Sequence, residues 1–310
     1  MPLFNKTPSF DFMKWRRTAL MVSAVLIVAS FAAIALRGLN LGIDFTGGVL
    51  LEVGYDNPVD LDSVRMVLAN EGYETALVQS FGSPNEVLIR LPPVEDVAAG
   101  ASAGDNVAAA LRVQDASVDV RRVEFVGPQV GDDLTEQGGL AMLFALIMIF
   151  GYIMLRFLWK FAAGAIVALV HDVILTLGFF SAVGLSFDLP VVAAILAVIG
   201  YSLNDTIVVY DRIRENFRLI RRGSGETIIN TSINQTLART LITGITTLLV
   251  LAALLLLGGE AVFGFSVALI VGIVVGTYSS IYVASAAVLA LDVSPTDLLP
   301  PKREEIDDLP

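Results

Sequence analysis

The sequence predicts a polytopic α-helical membrane protein that carries one folded α+β domain outside the bilayer. Three observations predict it. Of 310 residues, 55% are hydrophobic and only 16% charged, with a mean hydropathy of +0.74, whereas soluble domains hold about 25% charged residues. The apolar excess is gathered into six runs, each long enough to cross a hydrocarbon core, which takes roughly 20 residues as a helix. The interval 38–137 between the first two runs is instead polar and acidic.

The expected transmembrane helices are 18–36, 138–158, 161–185, 189–210, 237–257 and 262–290. The first lies between Lys14-Trp15-Arg16-Arg17 and Arg37. A signal peptide shares that basic start, but its apolar run is shorter. Orientation follows from Lys and Arg, which favour cytoplasmic loops. Lys6, Lys14, Arg16 and Arg17 precede the first span; Arg156 and Lys160 follow the second. Arg212, Arg214, Arg218, Arg221 and Arg222 follow the fourth, and Lys302 and Arg303 stand in the tail. All four segments fall on one side, and the short opposite loops near 186–188 and 258–261 hold no Lys or Arg. Both termini are expected in the cytoplasm. The expected plan is a cytoplasmic N-terminus and first span over 1–37, an extracytoplasmic domain over 38–137, a bundle of five spans over 138–291 with a cytoplasmic loop at about 211–236, and a cytoplasmic tail over 292–310.

Within the exposed domain, 49–55 alternates β-branched and polar residues as a strand does. Val64 and Leu68 place a helix over 61–71. Strands are expected over 75–81 and 86–91, joined by a turn at Gly82-Ser83-Pro84-Asn85. A short helix over 105–113 follows an ambiguous Ala/Gly-rich stretch, and a strand over 118–126 stops at Gly127-Pro128. The order β-α-β-β-α-β is the pattern of a ferredoxin-like domain. The interval 38–137 holds 17 Asp or Glu against 5 Arg and no Lys, a net of −12 beside −11 for the whole chain. Such a surface aids solubility, and it also repels anionic lipid and attracts basic polypeptide. Glycines flank the domain at Gly42, Gly47, Gly48, Gly127, Gly131, Gly138 and Gly139. They predict a hinged module, with tight turns as the plainer alternative.

Composition also limits the chemistry. There is no cysteine and one histidine, His171, so no thiolate or multi-histidine metal site is expected. No cofactor motif and no Walker glycine loop occurs. The net negative charge argues against nucleic acid as a partner. An enzyme is not expected.

Four ionisable residues fall inside apolar spans: His171, Asp172, Asp205 and Arg239. A charge at the bilayer centre costs at least ~2.5 kcal/mol, so such residues face the bundle interior, pair, or line an ion route. Asp205 stands in Tyr201-Ser202-Leu203-Asn204-Asp205-Thr206, where Tyr201 and Ser202 fall on its own helix face. Arg239 enters the fifth span at similar depth, beside a stripe of Thr236, Thr240, Thr243 and Thr247. An Asp205–Arg239 pair is therefore expected. It reads either as a fixed ion pair or as a proton carrier whose partner approaches and retreats. A nearby cation favours the ionised carboxylate, and burial without one favours the neutral acid. His171 and Asp172 point about 100° apart and are not expected to fill one spot; each is a weaker proton-handling candidate. Gly272 and Gly276 form a GxxxG pattern that predicts close helix packing, with a partner subunit as one possible neighbour.

Three stretches carry a resemblance. They are Leu41-Gly42-Ile43-Asp44-Phe45-Thr46-Gly47-Gly48, Val126-Gly127-Pro128-Gln129-Val130-Gly131, and Tyr201 to Thr206 running on through Tyr210-Asp211-Arg212-Ile213-Arg214-Glu215-Asn216. The first two resemble the SecD–SecF protein-export family of the RND superfamily; the third is similar to its SecF branch. Ala168-Leu169-Val170-His171-Asp172 also resembles the family's third span. The likeness covers nearly the whole chain up to Leu291. It implies a six-span half that pairs with SecD and acts on polypeptide emerging from the SecY channel of the bacterial inner membrane, driven by the proton gradient. It further implies that Asp205 and Arg239 handle protons, with Asp172 and His171 beside them. Tyr201, Ser202, Asn204, Thr206 and Thr243 would support them. Asp44, Gly47, Gly48, Gly127 and Pro128 would form the domain–membrane junction. Membrane lipid is the remaining expected partner. Rival readings are an autonomous exporter of small molecules or lipids and a translocon scaffold without proton transfer.

Overall fold

The computed structural model describes residues 8–94, 96–220 and 223–293. Lys6, Arg221, Arg222, Lys302, Arg303 and the tail beyond Val293 lie outside the described residues. The fold is mostly helical, with six helices long and apolar enough to cross a membrane. They are α1 (Arg16–Arg37), α5 (Pro128–Arg156), α6 (Trp159–Val183), α7 (Leu189–Leu219), α8 (Gly225–Leu257) and α9 (Phe263–Ser279), which continues through a π turn (Ser280–Ala284) into α10 (Ser285–Ala290). Between α1 and α5 the chain forms β1 (Asn40–Leu41), α2 (Ile43–Thr46), β2 (Gly48–Gly54), α3 (Leu61–Asn70), β3 (Leu77–Phe81), β4 (Ser83–Leu91), α4 (Val97–Gln114) and β5 (Asp119–Val126). A two-residue strand, β6 (Ser186–Phe187), joins α6 to α7.

Strands β2 to β5 form one antiparallel sheet in the order β3-β4-β2-β5. Alternation along β2 and β4 sends Val49, Leu51, Val53, Val87, Ile89 and Leu91 inward, where they meet Val64 and Leu68 of α3 and Val107 and Leu111 of α4. Asp60 and Asp96 cap the two helices through the amides of Asp62 and Ala98, satisfying donors that a helix start leaves open. Helix α4 is longer than the expected 105–113. The ambiguous Ala/Gly stretch is its first half, and the small residues are there for packing. A Cβ at Gly100 would come within 2.5 Å of Phe125, and one at Gly104 within 2.6 Å of Val123.

The bundle divides into an inner and an outer set. Helices α6, α7 and α9 are about half buried, while α1, α5 and α8 leave most of their apolar surface open. Lipid tails are as apolar as Leu, so that surface needs no protein cover. The GxxxG pair packs inside the chain. Gly272 lies against Val198, and a Cβ at Gly276 would sit 3.0 Å from that of Ser202, so α9 packs directly on α7.

Two expected boundaries move. Helix α5 begins at Pro128, ten residues before the apolar run. Pro128 occupies the first turn, where its missing N–H costs nothing. The expected loop at 211–236 is mostly helix, because α7 runs to Leu219 and α8 starts at Gly225 behind a Ser224 cap. These extensions are held together by Asn216, which donates to Ser232 and Gln235, and by Arg212, which donates to Gln235.

Candidate functional site

Asp172 and Asp205 are both buried in the bundle, 1% and 4% exposed, and their surroundings differ. Asp172 is saturated. Its Oδ2 accepts from Ser202 of α7 at 2.5 Å and Ser279 of α9 at 2.8 Å, and its Oδ1 lies 2.9 Å from His171 Nδ1. His171 Nε2 in turn meets Ser23 of α1 at 3.2 Å. Ser23 contacts the Tyr278 hydroxyl, which donates to the Ala19 carbonyl at 2.6 Å. Tyr278 stacks on the His171 ring. One chain of polar contacts thus ties α1, α6, α7 and α9. The expectation that His171 and Asp172 could not share a spot is corrected: the 100° offset at the backbone is overcome because the two side chains curl toward each other. The π turn follows Ser279 directly, and such turns shift the register of the side chains around them.

Asp205 lies one turn along α7 and lacks such donors. Its Oδ2 is buried with no hydrogen-bond partner among the described residues, and the same holds for Tyr201 Oη and Thr240 Oγ1. The groups of α8 whose polarity reaches it are Thr240 and Arg239. The expected ion pair is absent among the described residues. Arg239 is exposed on the outer side of α8, because Thr240, not Arg239, occupies the inward position and one residue turns the helix by 100°. The threonine stripe is largely self-satisfied. Thr236, Thr243 and Thr247 donate to carbonyls four residues back, and only Thr240 among these four keeps an unpartnered hydroxyl. Thr243 therefore does not reach Asp205. Asn204 points outward and is exposed, while Thr206 is buried in the same turn. No hydrogen bond among the described residues joins the Asp205 group to the Asp172 network.

The second expected site, the domain–membrane junction, is built around Asp44. Its carboxylate accepts from the Leu189 amide at 2.9 Å and so caps α7 from 145 residues away. Strand β1 pairs in parallel with β6, Asn40 with Ser186 and Leu41 with Phe187. Arg90 of β4 fans over this pair, donating to Asn40 Oδ1, the Leu41 carbonyl and Ser186 Oγ at 2.9–3.2 Å. Burial lowers the Arg90 pKa from its ordinary value, opposed by the charge of Asp188. Burial pushes Asp188 up, opposed by the Val191 amide that it caps; Asp44 adds to the rise and Arg122 counters it. Gly47 and Gly48 stand at φ +68° and +113°, a region that side chains resist, and α2 rests on the start of α5 at Gly131. Gly127 and Pro128 form the way out of the sheet into α5.

Sequence reasoning missed Ser23, Tyr278, Ser279 and Arg90. Two mid-span serines and a tyrosine aligned with His171 were the available signal; Arg90 had none, since its acceptors, Asn40, Leu41 and Ser186, lie far away in the chain.

Comparison with known proteins is consistent across methods. Residues 106–294 match the family model "Protein export membrane protein SecD/SecF, C-terminal", and residues 32–59 match "SecD/SecF GG Motif", which contains the Asp44 junction. The protein translocase subunit SecF of Vibrio alginolyticus is 51% identical, over 97% of this chain and 97% of that protein. That of Pseudomonas aeruginosa is 48% identical, over 98% and 99%. The crystal structure of SecDF from Thermus thermophilus, described as a translocon-associated membrane protein, matches with a TM-score of 0.85 at 38% identity over 94% of this chain. SecDF in a super-membrane-facing form matches at 0.70, with the same identity and coverage. This chain spans 40% of the length of either solved SecDF chain.

Proposed function

The chain belongs to the SecD/SecF protein-export membrane family and serves protein translocation, and from that premise we propose that it is the SecF-type half of a proton-driven complex, with Asp205 as its proton carrier. The observation that carries this reading is the bare carboxylate of Asp205. A buried carboxylate oxygen without donors has no protein hydrogen bonds holding it in the charged form. Arg239 stands one helix position away from facing it, so a rotation of α8 by about 100°, or an equivalent slide on α7, brings the cation in or takes it out. Proton binding and helix motion are thereby linked: the proton stays while Arg239 is away and leaves as it approaches. Asp172 and His171 serve as the fixed polar frame against which α7 moves.

The partners on this reading are a SecD half, the SecY-containing translocon and the unfolded polypeptide in transit, within the bacterial inner membrane. The α/β unit is a ferredoxin-like domain on the extracytoplasmic side; its strand order and antiparallel registers support that description. Both termini are cytoplasmic. Arg16, Arg156, Arg212 and Arg214 gather at the end of the bundle opposite the domain, where Arg16 pairs with Glu226 at 2.7 Å and Arg214 with Asp211 at 3.3 Å. Movement of the domain on its glycine-flanked junction transmits the work. Two solved chains alike in identity and coverage fit this chain at TM-scores of 0.85 and 0.70, as expected of a family whose parts shift.

The test is proton-dependent export in sealed vesicles that contain the whole complex. Asp205→Asn should assemble at normal abundance and lose the stimulation by the proton gradient, while Asp205→Glu keeps part of it. Full stimulation in the Asn variant would remove Asp205 from the mechanism and leave a scaffold.

A further inference from the structure

The space between the domain and the bundle is not filled. A cavity of about 710 Å³ opens between the outer face of the sheet and the loops at the far end of the bundle, within the range of roughly 300–1,000 Å³ typical of ligand sites. Leu50, Leu88 and Phe81 line it from the sheet, and Leu189 and Phe263 from the bundle. Its charged groups are Asp44, Glu52, Glu124 and Asp188 against Arg90 and Arg122. Both cations are already committed: Arg90 to Asn40, Leu41 and Ser186, and Arg122 to Glu124 at 2.5 Å. Asp44 and Asp188 are held by the amides that they cap. Glu52 makes no ion pair among the described residues.

We propose that this cleft holds a segment of the polypeptide in transit, extended, with apolar side chains on Leu50, Leu88 and Phe81 and a Lys or Arg on Glu52. The charge complementarity selects the occupant. An anionic or phosphate-bearing ligand, a lipid headgroup included, finds no free cation and meets surplus carboxylates. A basic, apolar peptide finds one open carboxylate set between apolar patches. The domain's net charge of −12 raises the local concentration of such segments. Strand β3, which contributes Gln79 and Phe81 to the cleft wall, is a sheet edge. Arg65 already holds the Val78 carbonyl at 3.0 Å, so only the rest of this edge is available for pairing with an extended chain, a recurrent mode of peptide capture. The inference rests on the export reading above and names where this half touches its client.

The experiment uses the intact complex in membranes and a stalled preprotein that carries an alternating Lys–Leu segment. A photo-crosslinking side chain replaces Phe81, or Val113 on the far face of α4 as control; Val113 is 89% exposed. Adducts with the preprotein should be at least about fivefold more abundant from 81 than from 113. Glu52→Lys should cut them severalfold, and an acidic segment in place of the basic one should do the same. Equal yields at 81 and 113, lipid adducts alone, or indifference to Glu52→Lys would each overturn the proposal. Export stimulation is measured on the same vesicles. Its presence without cleft adducts refutes the cleft and leaves the export reading standing; its absence in the unaltered complex refutes that reading instead.

Discussion

Two carboxylates one helix apart in the same bundle have opposite fates. Asp172 accepts from two serine hydroxyls and meets an imidazole, whereas Asp205 Oδ2 has no hydrogen-bond partner among the described residues. Depth does not separate them, since both are almost fully buried. The number of donors does. A carboxylate surrounded by donors fixes the helices that supply them. One without donors has no hydrogen bonds holding it in the charged form. On the reading proposed above, unsatisfied burial rather than burial alone marks Asp205 as the titrating group.

The largest expected effect would break this contrast outright. Asp172→Asn should cost about 3 kcal/mol of stability, because hydrogen bonds to a charged group contribute ~1.5–3 kcal/mol and stranded donors add to the loss. Asp205→Asn should cost less than about 1 kcal/mol, since its Oδ2 has no hydrogen bond among the described residues to lose. Thermal unfolding of both variants in one detergent reads the difference, and equal losses would end the comparison. Next in size, Gly276→Val should push α9 off Ser202, with an overpacking cost of ~1–3 kcal/mol. It should weaken assembly of the Asp172 network first, seen as loss of protection at His171 in a chemical modification assay.

What the sequence disclosed follows the same line. The six spans and the ionisable residues inside them were legible, because long apolar runs and the charges that interrupt them are local facts. The partners of those charges were not. Thr240 rather than Arg239 faces Asp205, a matter of one helix position, and Ser23 and Ser279 reach Asp172 and His171 from helices far away in the chain. The succession of strands and helices along the domain was legible from alternation and turns. The length of α4 was not, because its glycines look like a linker until Phe125 and Val123 are placed against them.

Smaller effects sharpen the contrast. Ser279→Ala removes one of the donors to Asp172 and should cost about 1.5 kcal/mol, again read by thermal unfolding. Thr240→Val removes a hydroxyl whose polarity reaches Asp205 but which makes no hydrogen bond of good geometry among the described residues. It should be neutral for stability to within about 0.5 kcal/mol, yet move the pH midpoint of proton flux. An unmoved midpoint would take Thr240 out of the Asp205 environment. The smallest effect lies at the junction. Asp188 holds its proton to higher pH when folded than when unfolded, because burial raises its pKa. Its contribution is thus fully present below the ordinary carboxylate value and is lost as pH rises through the raised one. Asp188→Asn keeps the cap and should flatten that part of the pH–stability profile. An unchanged slope would locate the titration elsewhere.

The two-residue pairing of β1 with β6 also sets an order of assembly during biogenesis. The α/β unit is complete when Val126 has been made, and chains fold from the N-terminus as they are synthesised. Its anchor points, Ser186 for Arg90 and the Leu189 amide for Asp44, emerge only after two further spans. For that interval the folded domain is tethered at α1 and α5 alone, with Asn40, Asp44 and Arg90 still in water. Insertion of α6 and α7 closes the seam. A nascent chain released before Leu189 would carry a finished domain without its mooring.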